Sequence, residues 1–260
     1  MQPAPLVLTG ATGRVATLLR PALPGATWLS RGAEAGAVAG HAALVALGGV
    51  TSGDAAALDG NRAAALWALE AARAYGVPRV LLASSAAVYG RSAGPCRAEA
   101  APSPANAYGA AKAAMEAAAT EWVARHPDGP RVTVLRLGNV AGADALFGNL
   151  TPGAVPVIDV WPDGATPRRS YIGPLALARV LQALAAAPDL PPVLNVAAPG
   201  TVAMGDLATA AGHAWTKAPA PPGALRALQL DTGPLQARVP LPAAAATAAG
   251  LVAEWRTATA

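Results

Sequence analysis

"PLVLTGATGRVA", Pro5 to Ala16, decides the fold. A short apolar run reads as a buried strand and ends at Gly10. A helix-forming run, "RVATLLRPAL", follows at once and stops near Pro21 and Pro24. Gly10 permits a tight turn and a close backbone approach. Gly13 leaves room for a pyrophosphate near the helix N-terminus, where free N–H groups and the helix dipole favour anions. Ala16 keeps helix and strand close together. The spacing Gly-x-x-Gly-x-x-Ala is a variant of the dinucleotide fingerprint. A purely structural glycine turn has the same letters. The strand before it and the helix after it favour a phosphate cradle contacted by Gly10, Thr12, Gly13, Arg14 and Val15.

Outward from that turn, strands and helices alternate. "ATWLSR" and "AALVALGG" read as strands, "AALWALEAARAYG" as a helix closed by Gly76, and "RVLLASS" as a strand. A helix from Tyr108 to about Arg125 ends at "HPDGP". The strand "RVTVLRLGN", the helix "PLALARVLQALAAA" and the strand "VLNVAA" complete the series. Such alternation predicts an α/β fold, a Rossmann-type doubly wound parallel sheet with helices on both faces. Only Gly32 to His41 separates the second strand from the third. A right-handed crossover takes a dozen or more residues, so the sheet is expected to be truncated at the edge after the second strand. Two proline- and glycine-rich stretches break the alternation. The expected organisation is a dinucleotide-binding Rossmann domain over 1–145, to which 167–198 returns. Residues 146–166 and 199–260 are expected to form a small substrate-binding lobe.

The chain has 260 residues, of which 53% are hydrophobic, 13% charged and 4% aromatic. This is a globular composition whose core is mostly alanine, leucine and valine. The net charge of +4 comes from scattered basic residues without interleaved aromatics, which argues against nucleic-acid binding. Cys96 is the one cysteine, so no intrachain disulfide forms and no thiolate cluster is available; a cytoplasmic setting is expected. The apolar N-terminal run is too short and lacks the basic flank of a signal peptide, and no uncharged run reaches membrane-spanning length. His41, His126 and His213 lie far apart, and no metal site is expected.

Two further features carry chemistry. The second strand ends in "SRG" with no acidic residue to bind an adenosine ribose. Ser30 and Arg31 stand there instead, suited to a 2′-phosphate, so NADP(H) is favoured over NAD(H). In "ANAYGAAKAAME", Tyr108 and Lys112 are four residues apart and share a helix face. A neighbouring ammonium lowers a phenol's pKa toward the range where it exchanges protons. The pair alone also fits an amphipathic helix edge with a snorkelling lysine. Upstream, "RVLLASSAAVYG" sets two serines at the C-terminal end of a strand, the edge where open α/β sheets bind ligands.

The segments "TGATGRVA", "LLASSAAVYG", "PSPANAYGAAKAAME", "VLRLGNVAG", "DGATPRRSYIGPLALA" and "VLNVAAPG" follow one another along most of the chain. In content and order they resemble the extended short-chain dehydrogenase/reductase superfamily, and within it the NAD(P)-dependent epimerase/dehydratase family. The resemblance implies an enzyme in which Tyr108 is the acid/base and Ser85 its hydroxyl partner. Lys112 would tune Tyr108 and hold the nicotinamide ribose. It further implies that Asn61 is a structural asparagine ahead of the central helix, that Glu116 closes the helix motif structurally, and that Asn139 and Arg169 contact substrate. A homodimer through the central helix and the Tyr108 helix is implied as well. The departures are the missing third edge strand, the missing acidic pair in "SYIGPLALA" and the short chain. Three readings follow. One is an oxidoreductase or epimerase acting on a hydroxyl or carbonyl carbon, including that of a nucleotide sugar. The others are a reductase of a small carbonyl compound and a non-catalytic NADP(H)-binding sensor or scaffold.

Overall fold

The structure is a computed structural model that describes residues 5–92, 94–149 and 155–260. Residues 1–4 of the expected dinucleotide-binding domain and 150–154 of the expected lobe lie outside the described residues.

Strand β1 (Leu6–Thr9) leads through the glycine turn into α1 (Arg14–Leu19). Then come β2 (Thr27–Leu29), β3 (Ala43–Ala46), α2 (Ala55–Ala74), β4 (Arg79–Ser85), α3 (Ala107–Arg125) and β5 (Arg131–Leu137). Short strands β6 (Asn139–Val140), β7 (Val157–Val160), β8 (Arg168–Arg169) and β9 (Tyr171–Ile172) precede α4 (Pro174–Ala186) and β10 (Val193–Val196). The chain closes with β11 (Val202–Ala203), α5 (Met204–Ala210), β12 (Thr216–Pro219), β13 (Ala227–Leu228), α6 (Gly233–Gln236) and α7 (Ala248–Thr259).

Six parallel strands form the central sheet in the order β10-β5-β4-β3-β1-β2. Successive side chains alternate between its faces. Leu6, Leu8, Ala43 and Val45 pack with α4 on one side. Val7, Leu44 and Ala46 pack with α2 and α3 on the other. The chain leaves β1 toward β2, then returns to build β3 on the opposite flank. Between β1 and β3 is the topological switch point, where open α/β sheets bind ligands. The edge after β2 is truncated as expected. Its crossover to β3 holds only a short 3-10 turn, Ala35–Val38, so β2 remains the edge strand.

A separate apolar cluster gathers Phe147, Ile158, Tyr171, Val202, Leu207, Leu251 and neighbours, drawn from both irregular stretches and from β9. Leu235, Leu241 and Ala245, also late in the chain, join the main core instead. No described helix is long and apolar enough to cross a membrane.

The helix after "SYI" takes its cap from a distant residue. Helix α4 begins at Pro174 with Gly173 as a cap that lacks a side chain. The Glu254 carboxylate of α7 reaches across and accepts from the Ala176 N–H at 2.8 Å. Gly173 leaves space for it, because a Cβ there would strike the carboxylate. Glu254 thus caps α4 from a distant helix and favours its dipole. Glu254→Ala is expected to lower unfolding stability by about 1 kcal/mol, and Glu254→Gln by less, as read from urea midpoints. Equal midpoints in all three proteins would remove the cap from the account.

Candidate active site

The site grows from three local devices that meet at the C-terminal edge of the sheet. The first is the glycine turn. Gly10 has φ +81°, and a Cβ on it would lie 2.9 Å from the Gly48 backbone. The Gly13 N–H closes the turn onto the Gly10 carbonyl at 2.8 Å, and Gly13 caps α1. The first-turn amides of α1 have no helical partners. Arg20 pins the turn from below: it donates to the Ala11 carbonyl at 2.8 Å and lies over the Trp28 ring.

The second device is the loop after β3. The Thr9 hydroxyl accepts from the Gly48 N–H. The Asn61 side chain accepts from Val50 N–H and donates to the Val50 carbonyl at 2.9 Å, fixing the loop over α2. Asn61 lies inside α2, not ahead of it. The helix begins at Ala55, where the Asp54 side chain accepts from Ala57 N–H as its cap.

The third device is α3 against the end of β4. Asn106 caps α3 through the Gly109 N–H, and a Cβ on Gly109 would strike the Ala87 carbonyl. This close approach sets Tyr108 and Lys112 beside the strand end. Lys112 is buried, and its Nζ donates to the Ala83 carbonyl at 2.8 Å. Burial pulls its pKa down to about 8, while Glu116 pulls the other way. Burial pushes the Tyr108 phenol above its ordinary value, and hydrogen bonding with Ser85 draws it back. The sequence expectation had Lys112 lowering Tyr108. Here the Lys112 ammonium is engaged by the Ala83 carbonyl, and desolvation governs the phenol.

Gly10, Gly13, Arg14 and Val15 from the turn share one cavity of about 250 Å³ with Asn61, Tyr108 and Lys112. Six expected site residues are not on its wall: Thr12, Ser30, Arg31, Ser85, Asn139 and Arg169. Ser84 lines it in place of Ser85, whose Oγ accepts from the Ala87 N–H at 3.1 Å. Ser30 and Arg31 are exposed after β2.

Asn139 and Arg169 gather elsewhere, around Tyr171 and Asp144, a pair with no local signal in the sequence. The Tyr171 hydroxyl donates to Asp144 Oδ2 at 2.6 Å, and Asn139 Nδ2 does so at 3.3 Å. Burial raises the Asp144 carboxyl, and burial together with Asp144 raises Tyr171. Arg169 faces the same group, and its own burial lowers its pKa.

A family model for the NAD dependent epimerase/dehydratase family matches residues 29–158, half of the chain. The chain belongs to that family. It is an enzyme of the short-chain dehydrogenase/reductase type. The matched span holds Tyr108, Lys112, Ser85 and Asn139, and starts after the glycine turn. Comparison with curated proteins gives no sequence match.

Among solved structures, the chain is similar to a UDP-N-acetylglucosamine 4-epimerase from Methanobrevibacter ruminantium M1 in complex with UDP-N-acetylmuramic acid. That likeness has TM-score 0.79 at 18% identity, covering 100% of both chains. MoeE5 in complex with UDP-glucuronic acid and NAD gives TM-score 0.77 at 20% identity, covering 98% of this chain and 99% of that one. TunA, described as an NAD dependent NDP-hexosamine 5,6-dehydratase of tunicamycin biosynthesis, gives 0.75 at 20%, covering 98% of both. At these identities the likenesses establish the Rossmann-type fold.

The depressed Lys112 pKa makes a stability prediction with a definite sign. An unfolded lysine titrates near 10.4, and Lys112 in the folded chain at about 8. Between those values the unfolded chain holds a proton that the folded chain has lost, so stability rises with pH. Below pH 8 the cost of the buried ammonium is constant. Wild type is expected to gain on Lys112→Met by about 1 kcal/mol per pH unit from pH 8 to 10, measured by denaturant melts of both. Parallel pH curves would contradict the assignment.

Proposed function

We propose that the enzyme binds a pyridine nucleotide across the switch point. In this reading Ser85, Tyr108 and Lys112 carry out proton transfer coupled to hydride transfer at a hydroxyl or carbonyl carbon of a nucleotide sugar. The observation that carries this reading is the one cavity on which the glycine turn meets Tyr108 and Lys112.

The residues present fit the cofactor. Side chains are missing where a dinucleotide needs backbone approach: at Gly10 against Gly48, and at Gly49, where a Cβ would lie 2.7 Å from Asn61 Oδ1 and 3.2 Å from Lys112 Nζ. The bound nucleotide supplies the hydride acceptor or donor. The chain's own residues do the rest. Lys112 donates to the nicotinamide ribose. Tyr108, held protonated by burial, gives its proton to a substrate carbonyl oxygen and takes it back from the hydroxyl in the reverse direction. Ser85 orients that oxygen.

Arg169 supports a phosphorylated substrate. It is half-buried, and among the described residues no carboxylate pairs with it. A desolvated guanidinium suits a substrate phosphate. The cluster of Phe147, Ile158, Tyr171 and Val202 is the core of the substrate lobe in this reading. The modest volume of the cavity favours a small carbonyl substrate as the second reading.

At the end of β2, the exposed Ser30 and Arg31 favour NADP(H), although MoeE5 was solved with NAD. The exposed face of α3, with Ala110, Ala114, Ala117 and Val123, suits close packing in a homodimer.

Tyr108→Phe tests the chemistry. It is expected to keep NADPH binding and lose roughly a hundredfold or more in kcat. The assay offers UDP-N-acetylglucosamine, UDP-glucuronic acid and small ketones with either cofactor. Unchanged turnover would overturn the catalytic assignment, and cofactor binding without turnover in the wild type would favour the sensor reading. Fluorescence titration with NADPH and NADH tests Arg31. NADPH is expected to bind tighter in wild type, and Arg31→Ala to erase the difference. Equal affinities in the wild type would end the 2′-phosphate reading.

A further inference from the structure

Helix α3 presents Tyr108, Lys112 and Glu116 at successive four-residue steps, a single stripe toward the strand end. Each meets a different one of the last three residues of β4. Ser85 bears on the Tyr108 phenol, Lys112 donates to the Ala83 carbonyl, and Glu116 accepts from the Ser84 hydroxyl at 2.5 Å. Glu116 is only 6% exposed. Its partner is Arg136, which lies opposite Ser84 in the β4–β5 register and is 3% exposed. The Arg136 Nη2 donates to Glu116 Oε2 at 2.8 Å and its Nε to Oε1 at 3.1 Å. Arg136 Nη1 also donates to the Ala98 and Ala100 carbonyls, and the guanidinium lies over the Tyr89 ring. Tyr89 in turn donates to Asn195 Oδ1 at 2.6 Å.

A buried ion pair contributes little net stability compared with apolar residues of the same volume. This one is hydrogen-bonded on every side and points its fixed negative charge along the helix at Lys112. We infer that Glu116, clamped by Arg136, is a positioning residue that holds the Ser84–Ser85 strand end and the Lys112 ammonium in register for catalysis. The inference rests on the Ser85–Tyr108–Lys112 reading and gives that site a supporting layer.

The groups that bear on Lys112 are few. Tyr108 and Glu116 lie one turn away on either side along α3, and Ser84 of β4 shares its cavity. Asn61 faces it from α2. Arg136 from β5 acts through Glu116, with Tyr89 and Cys96 beyond it. Burial lowers Lys112 and Glu116 opposes that fall. Without Glu116, the amine loses its proton at a lower pH and its grip on the cofactor ribose weakens there.

The chain's lysines are Lys112 and Lys217, so the ε-methylene NMR titration of Lys112 is readable against one exposed reference. Wild type is expected to titrate near pH 8. Glu116→Gln is expected to titrate at least about half a pH unit lower. Its NADPH affinity is expected to fall severalfold at pH 8 and recover at pH 6.5, where both proteins are protonated. A role confined to scaffolding would weaken binding equally at both pH values and leave the Lys112 midpoint in place, and either result overturns the inference. Should Glu116→Gln unfold, the paired Glu116→Leu/Arg136→Met variant removes both charges without leaving either unpaired, and the same two readouts apply. A shifted Lys112 midpoint in a chain that binds no pyridine nucleotide overturns the function proposed above and the catalytic purpose of the clamp, and leaves only its electrostatics. A wild-type midpoint in a chain that binds NADPH overturns the clamp alone.

Discussion

Everything at this site depends on how closely two backbones approach. Gly10, in the left-handed region, lies so tightly against Gly48 that a Cβ on it would meet the Gly48 backbone at 2.9 Å. That contact joins the end of β1 to the end of β3 at the point where the sheet reverses its winding. It brings the glycine turn, the loop held by Asn61 and the inner face of α3 around one cavity. A Cβ at Gly10 would separate the strands and open the turn.

The same junction explains why the chain tolerates buried charge. A protonated lysine away from water is costly, and Lys112 has its pKa lowered accordingly. The cost is offset locally by the Ala83 carbonyl and by the Glu116 carboxylate one turn along. Glu116 is in turn neutralised by Arg136, which extends the network to Tyr89, Asn195 and the 96–100 loop. Catalytic registry and core structure are therefore one network, and the site cannot be changed at Glu116 without disturbing both.

Much of this was legible in the sequence where the signal is local. The strand–glycine–helix turn, the alternation of elements and the short Gly32–His41 span carry their own geometry, and the truncated six-stranded parallel sheet follows from them. Tyr108 and Lys112 share a helix face because of spacing alone. Contacts between distant segments left no such trace. The Glu254 cap on α4 joins residues 78 apart. The Arg20 hold on Ala11, the Asp144–Tyr171 pair and the Arg136 clamp likewise depend on which surfaces fold together. Asn61 was misplaced by a helical turn or more because the alanines from Ala55 onward carry no apolar periodicity to mark the start of α2. Proximity in sequence suggests that Lys112 lowers Tyr108, whereas in the folded chain burial governs the phenol and raises it.

The central claim is that the glycine turn and the Tyr108–Lys112 face enclose one pyridine nucleotide. A crystal structure of the chain with NADPH tests it most directly. The account predicts the pyrophosphate against the Gly10–Val15 turn, the nicotinamide ribose on Lys112, and the nicotinamide ring beside the Tyr108 hydroxyl. A cavity left empty at saturating NADPH, or a nucleotide bound away from Lys112, would contradict it.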